Sequence, residues 1–148
     1  MKVASFSEIA VEFQIRVERD LCCNFATLDR QNRLRSRVVH PLWEGMVCWV
    51  LTDRRTPKAV HIAHCPFVSL AYIRDNNKPA YAECTAEWVE DIKDKQRTWD
   101  LFNRSSLGYD PALFYKSVNE PYLALLKLTP WRIQIDNTPG QTYIWERG

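Results

Sequence analysis

The chain has 148 residues, enough for one domain with a single core. Its 20 basic and 18 acidic side chains leave a net charge of +2 and are interspersed, so no basic stripe is present to neutralise a nucleic-acid backbone. No apolar run has transmembrane length, and the N-terminus lacks the apolar core of a secretion signal. These features predict one globular, cytoplasmic domain over residues 1–148 that binds neither nucleic acid nor membrane.

Five cysteines are an odd number, and four of them lie inside apolar, strand-like runs. This pattern favours reduced, buried thiols. Cys22 and Cys23 could be read as a redox pair, but neighbouring residues on a strand point to opposite faces. Core packing is therefore the preferred interpretation.

The first third of the chain predicts a helix followed by a hairpin. Residues 7–19 mix apolar and charged side chains at a spacing between the strand and helix periods, and Ser7 as a possible N-cap favours a helix. Strands over 21–28 and 33–43 are joined by a polar turn at 29–32. Residues 46–51 are apolar on both faces, as in a central strand.

A short helix comes next, with Thr56 as N-cap and Pro57 at its first position, and it stops before Pro66. The remaining elements are strands over 67–73 and 80–90, a helix over 91–103 with Ile92, Trp99 and Phe102 at core spacing, a strand over 122–135 interrupted at Pro130, and a terminal strand over 141–146. Six or seven mostly antiparallel strands without a βαβ rhythm predict a small closed or partly open β-barrel.

The start of the short helix gathers more positive charge than helix N-termini usually carry. Arg54, Arg55 and Lys58 lie in its entry loop and first turn, and only Asp53 opposes them. An anion bound by free amides, threonine hydroxyls and these cations would account for the cluster. Solvated side chains with screened repulsion are the simpler explanation for an isolated cluster.

A second basic group supports the anion site. Arg33, Arg35 and Arg37 recur at period 2 and share one face of the predicted strand over 33–43. We expect this strand to lie beside the one that leads into the loop before Thr56. One groove would then hold a phosphate at the helix and a polar ring system along the strand edge.

Three segments in register carry a family resemblance: ATL and LRSRVVHPLW (residues 26–28 and 34–43), LTDRRTPK (51–58) and PFVSLAY (66–72). They resemble the pyridoxamine 5′-phosphate oxidase-like FMN-binding split barrels, and most of all their general-stress-protein branch. The resemblance extends over residues 5–136, with its specific part between residues 26 and 72.

The resemblance implies an antiparallel split β-barrel that forms a homodimer with FMN at the subunit interface. Carried over residue by residue, it implies a flavin ring lined by backbone groups of Arg37, Val38 and Val39, a ribityl and phosphate side closed by Leu51 and Thr52, and a phosphate bound by Thr56 and Lys58.

Two departures from the family pattern stand out. The family often has Arg where this chain has Pro57, so Arg54 or Arg55 would replace that cation. The C-terminal Arg-x-His pair of true pyridoxamine-phosphate oxidases is absent from the run that begins at Trp131, which argues against oxidation of pyridoxamine phosphate. Trp131 or Trp145 of a partner subunit would flank the flavin.

The resemblance thus predicts an FMN-dependent oxidoreductase. The alternatives are a flavin-binding stress or sensor module without turnover, and a barrel whose groove is empty or holds a deazaflavin. His61 and His64 share a helix face and suggest a metal site, but two ligands without a carboxylate do not complete one. The six Trp residues are better explained as core and interface anchors than as stacking platforms for bases.

Overall fold

Turn and cap residues of the sequence set most element bounds. The structure, a computed structural model, describes residues 1–148. In chain order the elements are α1 (Ala10–Arg19), β1 (Cys23–Leu28), β2 (Leu34–Val39), β3 (Leu42–Glu44), β4 (Val47–Asp53), α2 (Pro57–His64), β5 (Phe67–Tyr72), β6 (Ala80–Val89), α3 (Ile92–Arg104), β7 (Leu123–Ile135) and β8 (Tyr143–Glu146), with 3₁₀ turns at Phe6–Glu8 and Pro111–Leu113. None of the helices has the length and apolar character needed to cross a bilayer.

All strands belong to one sheet of eight strands, in the order β2-β1-β5-β6-β7-β4-β3 with β8 paired to β7. Every ladder is antiparallel, and the sheet curls into a partly open barrel. The predicted antiparallel split β-barrel is therefore confirmed. The two edge strands, β2 and β3, are consecutive in the chain.

The predicted strand over 33–43 is wrong in one respect, because it divides at His40 and Pro41. Val39 pairs with Cys23 of β1, whereas Leu42 pairs with Trp49 of β4. Pro41 has no N–H to donate to a ladder, so the chain turns a corner there and changes partner strand. β2 consequently lies beside β1 and does not pair with β4, contrary to expectation.

Two details of the helices also differ from expectation. Ser5, and not Ser7, caps the N-terminal segment: it forms a capping box with Glu8 around the first 3₁₀ turn, and α1 continues from there. Ile92 is 49% exposed, because it is the first residue of α3. The helix buries Thr98 and Phe102, and Trp99 and Leu101 pack half-buried against the same core. α2 begins at Pro57 with Thr56 as N-cap, as predicted.

β7 is not interrupted at Pro130 but continues past it through a bulge. Pro130 pairs with Cys84 of β6, the next pair joins Arg132 to Glu83, and Trp131 is left without a partner. An extra residue of this kind lets a strand bend and keep its ladder. Ile133 and Ile135 are therefore buried, as the even-numbered residues before the bulge are.

The core has two parts, one on each face of β4. Cys48 and Val50 belong to the large apolar cluster inside the barrel, whereas Trp49 and Leu51 pack on the other side against Phe102 of α3. This confirms the prediction of a central strand that is apolar on both faces. All five cysteines are free thiols, and three of them are buried.

Candidate functional site

Strand pairing stops at one place in the barrel, and a pocket lies there. Residues 47–49 of β4 pair with β3, but residues 50–53 have a strand partner only on the β7 side. Across the gap, β2 has β1 as its single partner. Backbone N–H and C=O groups along both edges are thus available to a ligand, as the resemblance implies for a flavin ring.

The pocket between these edges has a volume of about 490 Å³, within the usual range for small-molecule sites. Most of its lining is apolar. It brings together six of the predicted site residues, which are Val38, Val39, Leu51, Thr52, Thr56 and Lys58. A planar ring system could lie along the strands with its polar end at the start of α2.

The polar end is formed by the turn that leads into α2. The Thr56 amide and hydroxyl both donate to the Asp53 carbonyl, at 3.1 and 2.8 Å. These bonds fix the turn and hold Thr56 at the N-cap. Pro57 has no N–H and the Ala59 N–H bonds the Thr56 carbonyl, so the Lys58 N–H is the amide available to an anion. Lys58 follows in the first turn and lines the same pocket, and Pro57 beside it is exposed.

Arg37, which the resemblance implied at the flavin ring, does not line the pocket but lies near enough to Lys58 for their charges to interact. Its guanidinium donates to the Thr27 hydroxyl at 2.7 Å and to His61 Nδ1 at 3.2 Å. Burial, followed by the charge of Arg37, lowers the pKa of Lys58. Both cations are half-buried and neither makes an ion pair, so an anion would relieve their repulsion.

His61 is a neutral member of this network. Since a guanidinium can only donate, His61 Nδ1 accepts from Arg37 and also from the Thr27 hydroxyl at 2.8 Å, which leaves the proton on Nε2. Burial first, and then the charge of Arg37, lowers the pKa of His61. His64 bonds Asn32 separately, and the two histidines have no third ligand between them.

Arg54 and Arg55, predicted to replace the missing family cation, have other partners. Arg54 Nη2 donates to both carboxylate oxygens of Glu90, each at 3.0 Å, and the guanidinium lies over the Trp88 ring. Arg55 binds Asp53 and stacks on Tyr122. Neither of them lines the pocket.

Comparison with solved structures identifies the architecture. A protein related to general stress protein 26, of the pyridoxinephosphate oxidase family, from Clostridium acetobutylicum superposes with a TM-score of 0.76 at 14% identity over 94% of both chains. A pyridoxamine 5′-phosphate oxidase-related, FMN-binding protein from Nostoc punctiforme gives 0.70 at 16% identity, covering 100% of this chain and 94% of that one. The chain has the fold of the FMN-binding split barrels.

A heme-binding protein from Mycobacterium smegmatis shares this split-barrel fold, with a TM-score of 0.74 at 13% identity over 93% of this chain and 57% of that chain. No family model matches the sequence, and no curated protein matches it either. At identities of 13–16%, these structural matches establish the fold. They confirm, as far as the fold is concerned, the family resemblance that the sequence suggested.

Sequence reasoning missed one wall of the split-barrel pocket. It consists of residues from the segment between α3 and β7, together with His40, whose Nε2 donates to the Leu107 carbonyl at 2.8 Å. The lining residues of this wall are Tyr109, Leu113, Phe114 and Tyr115. The aromatic content of residues 105–119 was the available signal, but it cannot show which surface a loop covers.

The two tryptophans expected to flank the flavin from a partner lie away from the pocket. Trp131, at the β7 bulge, is 40% exposed and borders a separate apolar groove of about 280 Å³ on the outside of the barrel. Trp145 is half-buried against Phe6. Within one chain neither contacts the pocket lining, so a role at the flavin requires a second subunit.

Proposed function

We propose that this chain binds FMN in the pocket between β2 and β4 and acts as an FMN-dependent oxidoreductase. The observation that carries the proposal is the position of Lys58 at the polar end of an apolar pocket of ligand size. Lys58 is half-buried and makes no ion pair, and the half-buried Arg37 near it makes none either, although Arg37 does not line the pocket. A phosphomonoester on an apolar ring system matches both features.

The residues fit this group without rearrangement of the sheet. The phosphate would receive the Lys58 ammonium and the free Lys58 backbone N–H at the start of α2, while the ring would lie along Val38, Val39 and Leu51. Bound FMN would supply the electron-transfer chemistry, and the chain would bind, orient and shield it. Arg35 pairs with Asp29 and Arg37 does not line the pocket, so Lys58 is the one Lys or Arg among the lining residues.

We further propose that the binding form is a homodimer. Leu34, Phe67 and Trp131 are 82%, 60% and 40% exposed and surround the outer groove. An exposed apolar cluster around a groove is typical of a protein–protein contact. A second subunit seated there would remove these side chains from water.

A spectrum of the as-isolated protein tests the cofactor, followed by mass identification of anything released on denaturation. Blue-region absorbance together with the mass of FMN is the expected result. A deazaflavin, a heme or no ligand, combined with failure to take up added FMN, would refute the proposal. Bleaching by NAD(P)H without oxygen then separates an oxidoreductase from a flavin-binding module that does not turn over.

A further inference from the structure

The polar end of the pocket contains one group that opposes an anion. Asp53, at the end of β4, lines the pocket together with Thr56 and Lys58. Its side chain is 28% exposed, so its charge is only partly screened by water. An unpaired carboxylate at this position would repel a phosphate and offset the charge of Lys58.

Arg55 satisfies both oxygens of this carboxylate. Its Nε donates to Asp53 Oδ1 at 3.0 Å and its Nη2 donates to Oδ2 at 2.7 Å, while its backbone N–H also bonds Oδ1 at 2.8 Å. The guanidinium is held over the Tyr122 ring, with its carbon 3.6 Å from the ring centroid. These hydrogen bonds lower the pKa of Asp53 to about 2.

We infer that Arg55 is a positioning residue for phosphate binding, which acts by neutralising Asp53 and leaves Lys58 as the net charge of the pocket. The inference rests on the proposed function. It assigns Arg55 a role through Asp53 and not through direct contact with the ligand, since Arg55 does not line the pocket. Discrimination between FMN and flavins that lack the phosphate is the property that it would control.

Titration of purified protein, stripped of any ligand, with FMN and with riboflavin tests this role. Arg55→Ala is expected to weaken FMN binding roughly three- to tenfold, the effect of a nearby charge in a partly screened site, and to leave riboflavin affinity unchanged. Adding Asp53→Asn to Arg55→Ala should restore FMN affinity, because the amide keeps the backbone contact but removes the negative charge.

Arg54→Ala is the matched control. It removes the same charge one position earlier in the chain, from a side chain that pairs with Glu90 and not with Asp53. It should change FMN affinity less than twofold. Equal losses in both single variants, an equal loss for riboflavin, or no restoration in the double variant would overturn the role of Arg55. Failure of the unsubstituted protein to bind FMN would instead refute the proposed function, and the inference with it.

Discussion

Individual side chains at the start of α2 illustrate what local rules can and cannot predict. Thr56 and Pro57 begin the helix as the capping rules require, and Lys58, to which the resemblance assigned the phosphate, lines the pocket. Arg54 could not be placed from the sequence, because its partner Glu90 lies 36 positions away. The pairing of Arg37 with His61 and Thr27 depends on the fold in the same way.

Lys58→Ala should weaken FMN binding by about 1.5–3 kcal/mol, the contribution of a charge-assisted hydrogen bond. The dissociation constant from flavin fluorescence quenching measures this loss. Lys93→Ala, at an exposed position in α3, serves as the control and should have no effect. An unchanged FMN affinity in Lys58→Ala would show that the phosphate does not bind at this end of the pocket.

His61 should make stability depend on pH. Its pKa in the folded state lies below the ordinary value of 6.5, so the unfolded chain binds the proton more strongly. The free energy of unfolding should therefore fall as pH decreases through the window between 6.5 and the lowered value, and it should show no further change from this residue below that window.

Urea unfolding at several pH values across this window measures the effect. His61→Gln should abolish the dependence in the window, since the side chain no longer titrates. His64→Gln, on the exposed side of the same helix, should preserve it. If the free energy of unfolding of His61→Gln still depends on pH in this window, another titrating group is responsible.

At the scale of elements, periodicity predicted most strands and missed two irregularities. Proline was the signal in both cases, at 41 and at 130, but its effect differed. Pro41 ends one strand and begins another, whereas Pro130 stays inside β7 because Trp131 forms the bulge beside it. A single residue type cannot distinguish a corner from a bulge, since the outcome depends on which strand lies opposite.

Gly108 connects α3 to the aromatic wall of the pocket, and we expect Gly108→Ala to disturb both. A Cβ there would lie 2.1 Å from the Phe102 carbonyl oxygen, and backbone cannot yield as a flexible side chain would. The variant should lose about 1–3 kcal/mol of stability, from the strain of overpacking, and bind FMN more weakly because Tyr109 moves.

Urea unfolding and FMN titration measure the two effects of Gly108→Ala. Gly45→Ala is the control, because its Cβ meets nothing within 4 Å and only the positive φ of 60° is strained. That variant should lose about 1–2 kcal/mol and keep its FMN affinity. Equal affinity in both variants would show that the wall does not contact the flavin.

For the whole molecule, the class of fold followed from strand count and turn signals, but the neighbours of each strand did not. The order of the sheet places β2 and β4 on opposite sides of a gap, although sequence reasoning made them adjacent. Six of the residues that the resemblance assigned to the flavin site line one pocket, and their role in binding stays a prediction. Packing of residues 105–119 over the pocket could not be obtained from local patterns.

The proposed dimer predicts a link between association and cofactor retention. Phe67→Glu should place a charge in the outer apolar groove and give a monomer that releases FMN, if the flavin site needs both subunits. Val11→Glu adds the same charge to α1, where the replaced side chain is 72% exposed, and should stay dimeric. Light scattering with flavin absorbance measures both properties, and a monomer that retains FMN would exclude a shared site.

The corner at His40 and Pro41 also bears on aggregation. The free edges of an open sheet can recruit strands from other molecules, and proteins usually block them with charge, proline or a covering segment. Here a two-residue connection turns the chain between the two edge strands of the sheet, beside a pocket that residues 107–115 partly cover. The backbone groups that a ligand would use are the same unpaired groups that could recruit a strand from another molecule. A bound ring would therefore also protect these edges from aggregation.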